Sequence, residues 1–122
     1  MQNFIVFIKL LKEKATGNMS LLSSDENGSA YITAATIDSL VQKNVRANNR
    51  VKECNSVVRI QEYGGVDLDI KLTVLSDTNI PELCSKMRTE LKEYVETYTG
   101  ITVNQITIVV INTYQTAATR VG

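Results

Sequence analysis

Asp67 and Asp69 are the one carboxylate pair that a strand would set side by side, and such a pair performs acid–base chemistry only where its surroundings drive the two pKa values apart. An alternating solvent face accounts for them without chemistry. The chain has no histidine, so a general base at neutral pH would have to be a buried carboxylate or lysine, and none stands in a recognisable motif. Cys54 and Cys84 lie far apart and lack the close spacing of metal or redox motifs. They read as reduced, half-buried thiols of a cytosolic protein, with a single disulfide between them left open. Gly64-Gly65 is followed by no further glycine, no Lys-Ser/Thr pair and no helix start, which makes it a hairpin turn rather than a phosphate cradle. The expectation is a protein with no catalytic residues, no metal and no cofactor.

Length and charge narrow the class further. At 122 residues the chain is one ordinary domain, able to bury roughly two thirds of its unfolded surface. Hydrophobic residues make up 43% and charged residues 21%, a globular rather than disordered composition. Thirteen basic residues balance thirteen acidic ones, so the long-range attraction that draws proteins to phosphate backbones is missing and nucleic acid is not favoured as a partner.

The elements that position these residues follow from periodicity and punctuation. Met19–Leu22 and Ala30–Ile32 flank the turn-rich stretch Ser23–Ser29 with its Asn27-Gly28, and predict a short hairpin. Thr33 is a helix N-cap candidate, and Ile37, Leu40, Val41 and Val45 recur at helical spacing to about Ala47. Val51–Gln61 and Val66–Leu75 surround Tyr63-Gly64-Gly65 as a second hairpin. Its second arm sets Val66, Leu68, Ile70, Leu72 and Val74 against Asp67, Asp69, Lys71 and Thr73, so one face is core and the other wet. Asn79-Ile80-Pro81-Glu82 starts a second helix, Leu83, Met87, Leu91, Tyr94, Val95 and Tyr98 form its apolar stripe, and Gly100 supplies its C-cap. Ile101–Thr113 is β-branched and apolar on both faces, the pattern of a central or doubly covered strand. Tyr94 and Tyr98 are expected in the core; Tyr63 and Tyr114 are expected outside it.

The fold expected is α+β in the order β-β-α-β-β-α-β, with two helices packed on one face of a mixed, mostly antiparallel sheet. Its bare face would then present Val57, Val109 and Ile111, rimmed by Arg59, Asp67, Asp69 and Lys71, as a candidate protein interface. Residues 18–114 form the domain and 115–122 a tail. Residues 1–17 form an apolar, basic helical segment in which Phe4, Ile5, Phe7, Lys9, Lys12 and Lys14 are candidate membrane-proximal residues. Its apolar run stops well short of the roughly 20 residues needed to cross a bilayer. Charge follows that run instead of preceding it, which argues against secretion and for a cytoplasmic protein, associated with the membrane from that side.

From Ala30 onward, over about three quarters of its length, the chain resembles the alkaline shock protein family, and within it the C-terminal domain of the membrane-anchor members. The residues that carry the likeness are Tyr31-Ile32-Thr33, Val57-Val58-Arg59-Ile60, Val66–Leu72, Asn79-Ile80-Pro81-Glu82-Leu83 and Tyr98-Thr99-Gly100-Ile101. The resemblance implies a non-enzymatic protein of Gram-positive bacteria that works in cell-envelope stress and binds itself or a related alkaline shock protein. Anchor members carry an N-terminal membrane hairpin, of which only the run to Leu11 and its lysines would correspond here. The alternative reading is an RNA-binding domain with a K-homology-like α-β-β-α-β core, although the Gly-x-x-Gly loop of that fold is missing.

Overall fold

In a computed structural model of the protein, residues 19–115 are described. The segment assigned to 1–17, and the tail beyond Gln115, lie outside the described residues. Two strands, β1 (Met19–Asp25) and β2 (Gly28–Thr33), lead into helix α1 (Ala34–Arg46). Strands β3 (Val51–Ile60) and β4 (Val66–Leu75), helix α2 (Ile80–Thr99) and strand β5 (Val103–Tyr114) complete the order β-β-α-β-β-α-β.

The strands make two sheets rather than one. β1 and β2 pair antiparallel as a separate hairpin, while the second sheet has the order β3-β4-β5, antiparallel between β3 and β4 and parallel between β4 and β5. The first hairpin is tighter than its turn-rich composition suggests. Asp25↔Gly28 is its last pair, and the Asp25 carboxylate accepts the Asn27 amide at 2.8 Å across the turn. The β3–β4 turn uses both glycines at positive φ, 109° at Gly64 and 78° at Gly65. At Gly65 a Cβ would stand 2.8 Å from the Thr102 carbonyl, so the turn also needs glycine for the close passage of the segment entering β5.

Capping works as the residue types dictate. Thr33 Oγ1 accepts the Thr36 amide at 3.1 Å to open α1. Asn79 Oδ1 accepts the Glu82 amide at 3.2 Å, Pro81 occupies the first turn, and Gly100 closes α2 at φ 71°. The core lies between the helices and one face of the larger sheet. Ile37, Val41 and Val45 of α1 and Leu91 and Val95 of α2 meet Val66, Leu68, Ile70, Leu72 and Val74 of β4, all no more than 1% exposed. Each such side chain contributes about 1.5–3 kcal/mol by leaving water.

Three expectations are corrected. Among the described residues β5 is an edge strand and β4 the central one, because the crossover through α2 returns the chain alongside β4 and no further described strand is added. The apolar second face of β5 is therefore uncovered by the described residues, with Val109 48% and Ile111 55% exposed. Tyr98 is 68% exposed, lying at the outer margin of the α2 stripe with its ring tilted against half-buried Tyr94 at 4.8 Å. Cys54 is fully buried, facing the helices from β3, and both cysteines are free thiols. No helix among the described residues is long and apolar enough to cross a membrane.

Candidate protein interface

The face of the β3-β4-β5 sheet turned away from the helices carries every residue that the sequence offered for an interface. Strand alternation places Val57 and Arg59 of β3, Asp67, Asp69 and Lys71 of β4, and Val109 of β5 there; Ile111 follows at a register irregularity opposite Leu72 and Thr73. Registration then decides which of them meet. Val57 pairs with Asp69, which pairs on its other side with Thr107, while Val109 pairs with Lys71 and through it with Asn55.

The arrangement expected, an apolar centre with a charged rim, is thus inverted. Val57 and Val109 sit on opposite edge strands, and the charged column Asp67-Asp69-Lys71 runs between them, because the strand that bears the charges is the middle one. Val57 is 58% exposed. The face presents a charged stripe flanked by two aliphatic margins.

The stripe is largely neutralised from within. Arg59 reaches across from β3 to hold Asp69 with two hydrogen bonds, Nε to Oδ2 at 2.8 Å and Nη2 to Oδ1 at 3.3 Å, and its Nη1 lies 3.8 Å from Asp67. The bond to Asp69 and that carboxylate's charge raise the pKa of the Arg59 guanidinium, keeping it firmly protonated. Gln61 Nε2 donates to Asp67 Oδ2 at 2.7 Å. Asp67, expected to be wet, is only 8% exposed, covered by Arg59 of β3 and by Gln61 just beyond that strand. Both carboxylates have structural partners, and this accounts for the pair without acid–base chemistry.

A polar cluster that the sequence did not reveal joins α1 to β3. Gln42 Nε2 donates to Ser56 Oγ at 2.6 Å and to the Cys54 carbonyl at 3.3 Å, and Arg46 Nη2 donates to the same carbonyl at 3.0 Å. The Ser56 hydroxyl donates in turn to Asp38. Burial pushes the Cys54 thiol up, against the pull of the Arg46 charge, so the thiolate is disfavoured there. At the other end of the sheet Lys52 Nζ stands 4.7 Å above the Tyr114 ring. Neither grouping has a local sequence signature; both depend on helix-to-strand and strand-to-strand placement.

A cleft of about 450 Å³ between β1 and the β3–β4 turn is lined by Met19, Leu21, Ile60, Gly65 and Ile101 among others, and Glu62 is the one ionisable residue among the described residues that line it. Among the described residues no three potential metal ligands come together.

Comparison with protein families gives a match over residues 27–114 to the alkaline shock protein 23 family, described as having a cell envelope-related function. The chain belongs to the alkaline shock protein family. Its matched span runs from the β1–β2 turn to the last residue of β5, and so takes in both helices and the whole three-stranded sheet. A comparison with curated proteins found no match.

Proposed function

We propose that this alkaline shock family domain is a non-catalytic scaffold, binding a second copy of itself or a related subunit through the open face of its sheet. The observation that supports this reading is the bare face itself: neither helix covers it, and its aliphatic residues Val57, Val109 and Ile111 are each about half exposed. The charged stripe between them gives the face a register, since a partner must answer Lys71 and the Arg59–Asp69 pair as well as the aliphatic margins.

Ile111→Lys tests it. A charge placed on an interface must be desolvated without a partner, whereas on a solvated face it changes stability by no more than about 0.5 kcal/mol. The expected outcome is a lower assembly mass by light scattering after size exclusion, with an unchanged thermal midpoint. Unchanged mass would reject the face as the interface.

In the same reading the basic, apolar N-terminal segment associates with the cytoplasmic surface of the membrane, through Phe4, Ile5 and Phe7 in the acyl boundary and Lys9, Lys12 and Lys14 against anionic headgroups. A chain starting at Asn18 is expected to sediment less with anionic vesicles than the full chain. Equal sedimentation would remove the tether.

A further inference from the structure

The free edge of β5 is a second, separate surface. Every strand residue turns its amide and carbonyl to one side, and Val66 and Ser76 donate to the Thr102 and Tyr114 carbonyls, so the even-numbered residues of β4 face β5. In a parallel ladder such a residue bonds to the neighbours of its partner, and the partner itself faces away. The partners are Leu68↔Ile106, Ile70↔Ile108 and Leu72↔Val110. Ile106, Ile108 and Val110 therefore direct their backbone amides and carbonyls to the open edge, where no described residue takes them up.

The side chains of the same three residues point toward the helices yet are only partly buried, in contrast to their β4 partners at no more than 1% exposure. Register shifts opposite Val66/Asp67 and Leu72/Thr73 bound this stretch, leaving Gln105–Val110 as a regular segment. Strand β5 contains no charged residue, no proline and no glycine, so between its two irregularities it lacks the charges and chain breaks that usually keep an edge from pairing.

We propose that this edge pairs antiparallel with the β5 edge of a second copy, about a two-fold axis through Ile108, to make a continuous six-stranded sheet. The inference shares the self-association reading above but uses the edge, not the open face. A second copy fits because the segment is self-complementary about that axis. Ile106 meets the partner's Val110, Ile108 meets its own equivalent, and Thr107 meets Val109. Apolar β-branched residues oppose each other on the helix side, and no like charges are brought together. Three residues on each copy then exchange about six backbone hydrogen bonds. An isologous contact of this kind closes on itself, giving a dimer rather than a fibre.

Two measurements on the full chain test the proposal. In a Cys84→Ser background, Thr107→Cys and Val109→Cys variants are mixed and oxidised. The two positions form a non-hydrogen-bonded cross-strand pair, with Cα atoms about 4.5 Å apart, within disulfide reach. A covalent heterodimer is expected from the mixture and not from Thr107→Cys or Val57→Cys alone. Residue-resolved amide exchange of the unmodified protein is the second measurement. The amides of Ile106, Ile108 and Val110 should exchange about tenfold or more slower at concentrations where the protein is dimeric than where it is monomeric.

Assembly with fast exchange at these three amides would overturn the edge pairing while leaving the open-face scaffold standing. Slow exchange that persists in the monomer would also overturn it, by showing that the chain covers its own edge. A monomer at all concentrations would overturn the pairing and restrict the scaffold reading to a related subunit.

Discussion

The two edges of the three-stranded sheet end in different ways. On β3 the Cys54 carbonyl, turned outward, is taken by Gln42 and Arg46 of α1, and Ser56 is tied through its hydroxyl to Asp38 and Gln42. Lys52, Glu53 and Arg59 add charge along the strand. On β5 closure stops at the first residue, where the Val103 amide donates to Glu96 Oε2 and its carbonyl accepts from Lys92 Nζ, each at 2.8 Å. A helix running beside an edge can close it only where its side chains are long and polar enough to reach the backbone. α1 supplies such groups at the Cys54 carbonyl in the middle of β3, whereas α2 supplies them only at the start of β5. One margin of the sheet is thereby pinned at mid-strand and charged, and the other is pinned only at its start and uncharged.

If the asymmetry belongs to the edges alone, the shared interior must behave as ordinary core. Leu91 of α2 is 0% exposed, and Leu91→Ala should cost about 2–5 kcal/mol by chemical denaturation, from lost burial and the cavity left behind. A midpoint near wild type would mean that α2 is not seated on the sheet as described.

A smaller effect separates the two margins directly. Gln42→Ala removes one of the two donors to the Cys54 carbonyl and the donor to the Ser56 hydroxyl, and should cost about 1 kcal/mol without altering assembly. Should it promote self-association instead, the protection of the β3 edge would depend on this cluster more than on the charges of the strand.

The smallest effect is the acid response of the β5 cap. The hydrogen bond from Lys92, then that from the Val103 amide, hold the Glu96 carboxyl below its usual range. A carboxylate lowered in the folded state contributes stability that is present above its unfolded pKa, about 4.3, and is lost as pH falls through the lower folded value. Wild type should therefore lose more thermal midpoint between pH 7 and pH 3 than Glu96→Gln does. Equal losses would show that the cap contributes nothing to the folded state.

What was legible in the sequence was local. Asn79-Ile80-Pro81-Glu82 and Gly100 bound α2, Gly64-Gly65 mark a turn, and the alternation of β4 separates core from open face, because each depends on the backbone preferences and side-chain direction of a few neighbouring residues. The same periodicity misled at Ile101–Thr113 and Tyr98. A strand apolar on both faces reads alike whether it is covered twice or left at an edge, and a helical stripe does not show where its covering sheet ends.

The sequence by itself determined the order of elements, their caps and turns, the buried face of β4 and the family to which the chain belongs. Only the tertiary structure decided that β4 lies in the middle, that Asp67 is buried beneath Arg59 and Gln61, that Val57 and Val109 are kept apart, and that α1 holds β3 at the Cys54 carbonyl while the described residues leave β5 open beyond Val103. These depend on which strands become neighbours and in what register. That pairing is chosen by contacts between residues distant along the chain, and no short stretch of sequence records it.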